Sequence, residues 1–95
     1  MDLIAPVAVR ELAKARVLRE AVLLPTSDGW VMCIRTGADE RVLKMRDENA
    51  PRHFQKLDAA ARYAQKLGVP RLLVELADWP SAPTKRHRFA ATKRR

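Results

Sequence analysis

Six cations, Lys85, Arg86, Arg88, Lys93, Arg94 and Arg95, fall within the last eleven positions of this 95-residue chain, and no acidic residue separates them. Side chains of this type and density neutralise phosphates and release the counterions condensed on a nucleic acid. A stretch such as TKRHRFAATKRR offers too little apolar surface to offset the entropy of ordering it, so its charge is expected to stay available to a polyanion. This tail supplies most of the formal net charge of +8, because residues 1–84 hold thirteen Lys and Arg against eleven Asp and Glu. His87 adds charge below about pH 6.5. Phe89, alone amid cations, reads as an exposed apolar residue before it reads as a platform for an unpaired base.

The residue types of catalysis are present but not organised. Ser27, His53 and Asp58 could be written as a nucleophile, base and acid, yet no motif ties them together. Cys33 with His53 and His87 lacks the paired ligand spacing of a zinc site, and inside an apolar run it reads as a small filler. The three glycines, Gly29, Gly37 and Gly68, all fall at expected turns or a helix end, so there is no phosphate-cradling loop. The chain is therefore expected to be no enzyme and to use no metal or cofactor. A single cysteine excludes a disulfide framework and suits a reducing compartment. No apolar stretch approaches the roughly 20 residues of a membrane span, and the start MDLIAPVAVRELAK lacks a basic region followed by an apolar one, so cytoplasmic residence is expected.

The elements that must carry these residues follow from periodicity. Apolar residues are 47% of the chain and aromatics only 5%, which suits one modest core filled mainly by Ala, Val and Leu. Ala5 to Val17, with Pro6 in its first turn and Val9, Leu12, Ala13 and Val17 near helical spacing, predicts a short amphipathic helix. Leu18 to Leu24 predicts a strand, Pro25 to Gly29 a turn, and Trp30 to Arg35 and Glu40 to Arg46 a hairpin. Alternation puts Trp30, Met32, Ile34, Leu43 and Met45 on the core face. The opposite face then carries Arg35, Lys44 and Arg46, either as an ordinary solvated surface or as a second nucleic-acid surface. Leu57, Ala60, Ala61, Ala64 and Leu67 predict a second helix ending at Gly68, and Arg71 to Leu76 a fourth strand. The fold class is α+β in the order α-β-β-β-α-β, with a mainly antiparallel sheet packed by helices. The domain spans residues 1–80 and the basic tail residues 81–95.

Arg52 and Phe54 before a helix start of Leu57, Asp58 and Ala60, then Leu67 and Gly68, a strand, and an exit at Trp79 and Pro80, form a pattern over nearly the whole chain. It resembles the small ParC-type partition-associated proteins of plasmids and integrative elements, which also begin with a short MDLI-like leader and a helix. Lys56 departs from the small hydroxyl residue expected as N-cap. The resemblance implies a bacterial mobile-element accessory protein. Leu23 to Gly68 alone is also similar to the sheet-plus-helix arm-binding domains of tyrosine recombinases, where exposed strand residues enter the major groove; Arg35, Lys44 and Arg46 would take those positions. A helix covering that face would exclude such readout.

Three readings stay open. In the first, an accessory protein of plasmid partition or maintenance associates with duplex DNA, largely without sequence choice, through the tail and the sheet cations. In the second, the domain binds a partition or regulatory protein, or forms a homodimer through a sheet edge or a Trp30 and Trp79 patch, without DNA affinity. In the third, the tail serves solubility alone.

Overall fold

The computed structural model describes residues 2–77, and expectations for Trp79, for Pro80 and for the basic tail lie outside them. Its elements are β1 (Leu3–Ile4), α1 (Pro6–Lys14), β2 (Glu20–Thr26), β3 (Gly29–Thr36), β4 (Asp39–Leu43), β5 (His53–Phe54), α2 (Leu57–Leu67) and β6 (Leu72–Val74). The α+β class and the two helices stand as read from sequence. Two very short strands, β1 and β5, add to the expected four.

The sheet runs β1-β4-β3-β2-β6, with β5 also paired to β3. β3 pairs antiparallel with β2, β4 and β5, whereas β1 joins β4 and β6 joins β2 in parallel, so the sheet is mixed. β4 and β5 lie end to end along β3, opposite Cys33–Thr36 and Trp30–Val31 respectively. Between them the chain makes an excursion closed by a bridge from Lys44 to Pro51, by Met45 N–H donating to the Ala50 carbonyl, and by Arg52 N–H donating to the Leu43 carbonyl at 3.0 Å. The strand expected over Glu40 to Arg46 therefore stops at Leu43. Met45, expected in the core, is 39% exposed.

Both helices pack on one face of the sheet. Val9, Ala60, Ala64 and Leu67 meet Ala21, Leu23, Trp30, Met32, Ile34 and Leu43 in a single cluster, with Leu12, Ala13 and Tyr63 at its margin. The small side chains of α2 let its axis approach the strands closely. The buried stripe is narrower than the apolar pattern: Leu57, Ala61 and Val17 face outward. A helix turns a limited arc toward a sheet, and here that arc is centred between Ala60 and Ala64.

The two helices end alike. Val17 N–H reaches back to the Leu12 carbonyl, and Val69 N–H to the Ala64 carbonyl, each across a residue in the left-handed conformation. That residue is Gly68 in α2 (φ 89) but Arg16 in α1 (φ 61). Arg16 ends α1 three residues before the expected limit at Val17.

The opposite face of the sheet is covered by neither helix. Pairing register aligns Leu3, Val42, Cys33, Val22 and Leu73 in one apolar row across five strands. Beside it, Glu20, Arg35 and Glu40 form a charged row.

Gly29 closes the β2–β3 turn at φ 123, and a Cβ there would lie 2.6 Å from the Phe54 carbonyl oxygen. That oxygen belongs to the β5 backbone and has no easy retreat. Gly29→Ala is expected to destabilise the domain by about 2 kcal/mol or more through backbone strain and this clash, read as a lowered midpoint in urea.

Candidate anion-binding groove

The three sheet cations singled out by alternation do not form a common surface. Arg35 donates from Nη1 to Glu20 Oε2 at 2.9 Å and from Nε to Glu40 Oε2 at 3.0 Å. The hydrogen bond to Glu20, ahead of the attraction of Glu40, holds its pKa above the ordinary guanidinium value. Lys44 Nζ donates to the carbonyls of Met45 and Glu48, each at 3.3 Å. Arg46, beyond the end of β4, reaches the helix side of the molecule and lines a cleft there. Lys85, Arg86, Arg88, Lys93, Arg94 and Arg95 lie outside the described residues.

That cleft, about 520 Å³, runs between α1 and α2 and is lined by Pro6, Val7, Arg10, Arg46, Tyr63 and Lys66, among others. It shares Arg10 and Lys66 with a neighbour that adds Lys14, and Tyr63 and Lys66 with another that adds Arg52 and Arg62. The result is a groove of three adjoining clefts, the first two between α1 and α2 and the third between α2 and β5, with Lys66 lining all of them. Its lining holds six cations, Arg10, Lys14, Arg46, Arg52, Arg62 and Lys66, and no Asp or Glu.

Local folding explains the placement. α1 offers Arg10 and Lys14 four residues apart, and α2 offers Arg62 and Lys66 at the same spacing. Four residues bring two side chains to one helix face. The ends of the helices then meet closely enough that a Cβ on Gly68 would sit 3.0 Å from Ala13 Cβ, which brings the two cationic faces together. Like charges at this spacing cost roughly 0.2–0.5 kcal/mol per pair. The last-turn positions of Lys14 and Lys66 offset part of this through the helix dipole.

No ion pair neutralises these six cations among the described residues. The three salt bridges there join Arg35 to Glu20, Arg35 to Glu40, and Arg41 to Asp39, all on strands. Glu11, Asp47, Glu48 and Asp58 are close in sequence to groove cations, yet none comes within ion-pairing distance of them. Of the six, strand alternation marks Arg46 alone. The signal it passed over was the pair of like-charged i,i+4 spacings, one on each helix.

Arg52 is held differently from the rest. Its guanidinium carbon lies 5.0 Å from the centroid of the Phe54 ring and 4.5 Å from that of Tyr63. The two rings are 5.7 Å apart and tilted by 49°, so the cation sits in the notch between them.

Cys33 lies on the opposite face of the sheet, its Sγ 3.9 Å from Glu40 Oε1. Burial first, and the Glu40 charge second, push its thiol pKa up. Alkylation by iodoacetamide at about pH 8 is therefore expected to be much slower than for an exposed thiol, and to recover in denaturing urea. Because the folded state holds this proton more tightly, the associated stability is full below the ordinary thiol pKa and declines as pH rises through the folded value. Among the described residues, no three His, Cys, Asp or Glu side chains could together hold a metal ion. No helix among them is long and apolar enough to cross a membrane.

No curated protein and no solved structure matches the chain. A family model described as ParC-like matches residues 4–82, which takes in both helices and every strand except the first residue of β1. The chain belongs to the ParC-like family.

Proposed function

We propose that this ParC-like protein is a non-enzymatic cytoplasmic accessory of plasmid partition or maintenance that associates with duplex DNA through its phosphate backbone. The observation that supports this reading is the groove along α2, bordered by α1 on one side and β5 on the other, with six cations, no acidic lining residue and no ion pair among the described residues. The basic residues from Lys85 to Arg95 add affinity for the same polyanion. Backbone contacts of this kind position a protein on DNA without selecting sequence. Arg35 and Lys44 are not assigned to the interface, because carboxylates and carbonyls engage them. With about four to six phosphates neutralised, log affinity for a random duplex should fall against log salt with a slope of about −4 to −5. Fluorescence anisotropy across a salt series measures it. Affinity indifferent to salt, or absent at low salt, would sink the reading.

One observation favours a second reading, a protein-interaction or dimerisation module. In the apolar row on the sheet face that neither helix covers, Val22, Cys33 and Val42 are themselves buried, but the edge strand β6 leaves Leu73 41% and Val74 39% exposed. Analytical ultracentrifugation separates the readings: a concentration-dependent dimer lost in Leu73→Glu supports the module, and a monomer at all concentrations rejects self-association.

A further inference from the structure

We propose that the cleft at Arg52 is a phosphoryl-binding site, in which the fixed guanidinium of Arg52 grips one phosphoryl group and Arg62 and Lys66 neutralise it. The inference rests on the DNA reading for the source of that group and deepens it from a general basic surface to a defined seat.

Three observations converge. First, Arg52 is held in place before any ligand arrives. The Phe54 and Tyr63 rings hold its guanidinium at 5.0 and 4.5 Å, and its backbone N–H is tied to the Leu43 carbonyl. An arginine held in one orientation loses little further freedom when it binds, so its planar fork is ready for two parallel bonds to a phosphoryl group. Second, its hydrogen-bonding capacity is unused. Nε is buried without an acceptor, and the guanidinium makes no hydrogen bond or ion pair among the described residues. A buried donor without an acceptor costs about 1–3 kcal/mol, and it marks Arg52 as a side chain whose donors the fold itself leaves unused. Third, Arg62 and Lys66 line the same cleft of about 310 Å³ with Arg52, and no carboxylate lines it. Three cations converging without an acid favour a ligand of more than one negative charge or with several oxygens, which a phosphoryl group provides and a single carboxylate does not.

The source of the group divides into a DNA backbone phosphate and a free phosphate, and the experiment separates them. The full chain, labelled with ¹⁵N, is followed through its arginine Nε–H signals, with that of Arg52 assigned by its disappearance in R52K. Burial of this Nε–H slows its exchange with water, which keeps the signal visible. One titration uses inorganic phosphate against sodium chloride at matched ionic strength, and a second uses a random duplex. The expected result is a saturable shift of the Arg52 signal in both, with a phosphate Kd on the order of 10 mM. R52K, which keeps the charge but loses the fork, should bind the duplex roughly fivefold to tenfold more weakly, with the salt slope unchanged. Because R52K also alters the aromatic notch, K66Q on the exposed face of α2 serves as a second variant. It should weaken the phosphate-induced shift without moving the amide spectrum elsewhere.

Duplex binding with the Arg52 signal unmoved and R52K equal to the parent would overturn the site and leave the DNA reading intact. A saturable phosphate shift without duplex binding would support the site and remove DNA as the source. A shift equal in chloride and phosphate overturns the site, since only ionic strength would then be acting.

Discussion

Reversing two charges at the junction of the groove, R10E/K66E, is expected to lower affinity for a random duplex by at least about a hundredfold at 0.1 M salt. Each phosphate contact carries a salt slope of about −0.9, worth close to tenfold at that concentration, and reversal adds repulsion to the lost contact. Arg10 and Lys66 are exposed and outside the buried cluster, so the fold should survive. Matching thermal melts would check this. The informative comparator is Arg35→Gln, which removes a charge already held by Glu20 and Glu40. It should change duplex affinity by far less than a phosphate contact would. Losses in proportion to the charge removed, four units in the double reversal against one in Arg35→Gln, would mean that net charge alone matters and that the groove is no site.

Met32→Ala is expected to have the largest effect on stability. Met32 is fully buried at the middle of β3, the strand that pairs with β2, β4 and β5, and it points into the cluster beneath both helices. Truncation there leaves a cavity between the sheet and the two helices, with a typical loss of about 2–5 kcal/mol. A domain of this size has about 5–15 kcal/mol in total. At roughly 4–8 °C per kcal/mol, the melting temperature should fall by about 8–40 °C. Circular dichroism melts measure this directly. Val7→Ala, at a side chain 66% exposed, should remain within about 0.5 kcal/mol of the parent. A small loss at Met32 would contradict the assignment of the core to this face of the sheet.

How far these features were legible in sequence differs by element. The end of α2 was readable because Gly68 supplies a left-handed residue cheaply; the end of α1 was not, because Arg16 performs the same turn without a sequence sign. Alternation along β3 put Trp30, Met32 and Ile34 in the core, where they are. It failed at Met45, because the excursion from Lys44 to Pro51 had already broken the strand period. β1 and β5, at two residues each, are too short to show any period. Charge was harder still. Parity placed Arg35 on the correct face, but its neutralisation depends on the register that sets Glu20 and Glu40 directly across from it. Composition drew attention to the terminal cations, whereas the groove arises only when α1 and α2 pack side by side and bring two separate basic faces together.

The central claim is that the groove between the helices, and not charge in general, neutralises DNA phosphates. The most direct measurement is the difference in salt slope between the full chain and R10Q/K66Q on the same random duplex. If Arg10 and Lys66 each neutralise one phosphate, the slope should become shallower by about 1.8, from near −4 to −5 toward −2 to −3. An unchanged slope, with affinity and fold otherwise intact, would place the phosphates elsewhere and contradict the account.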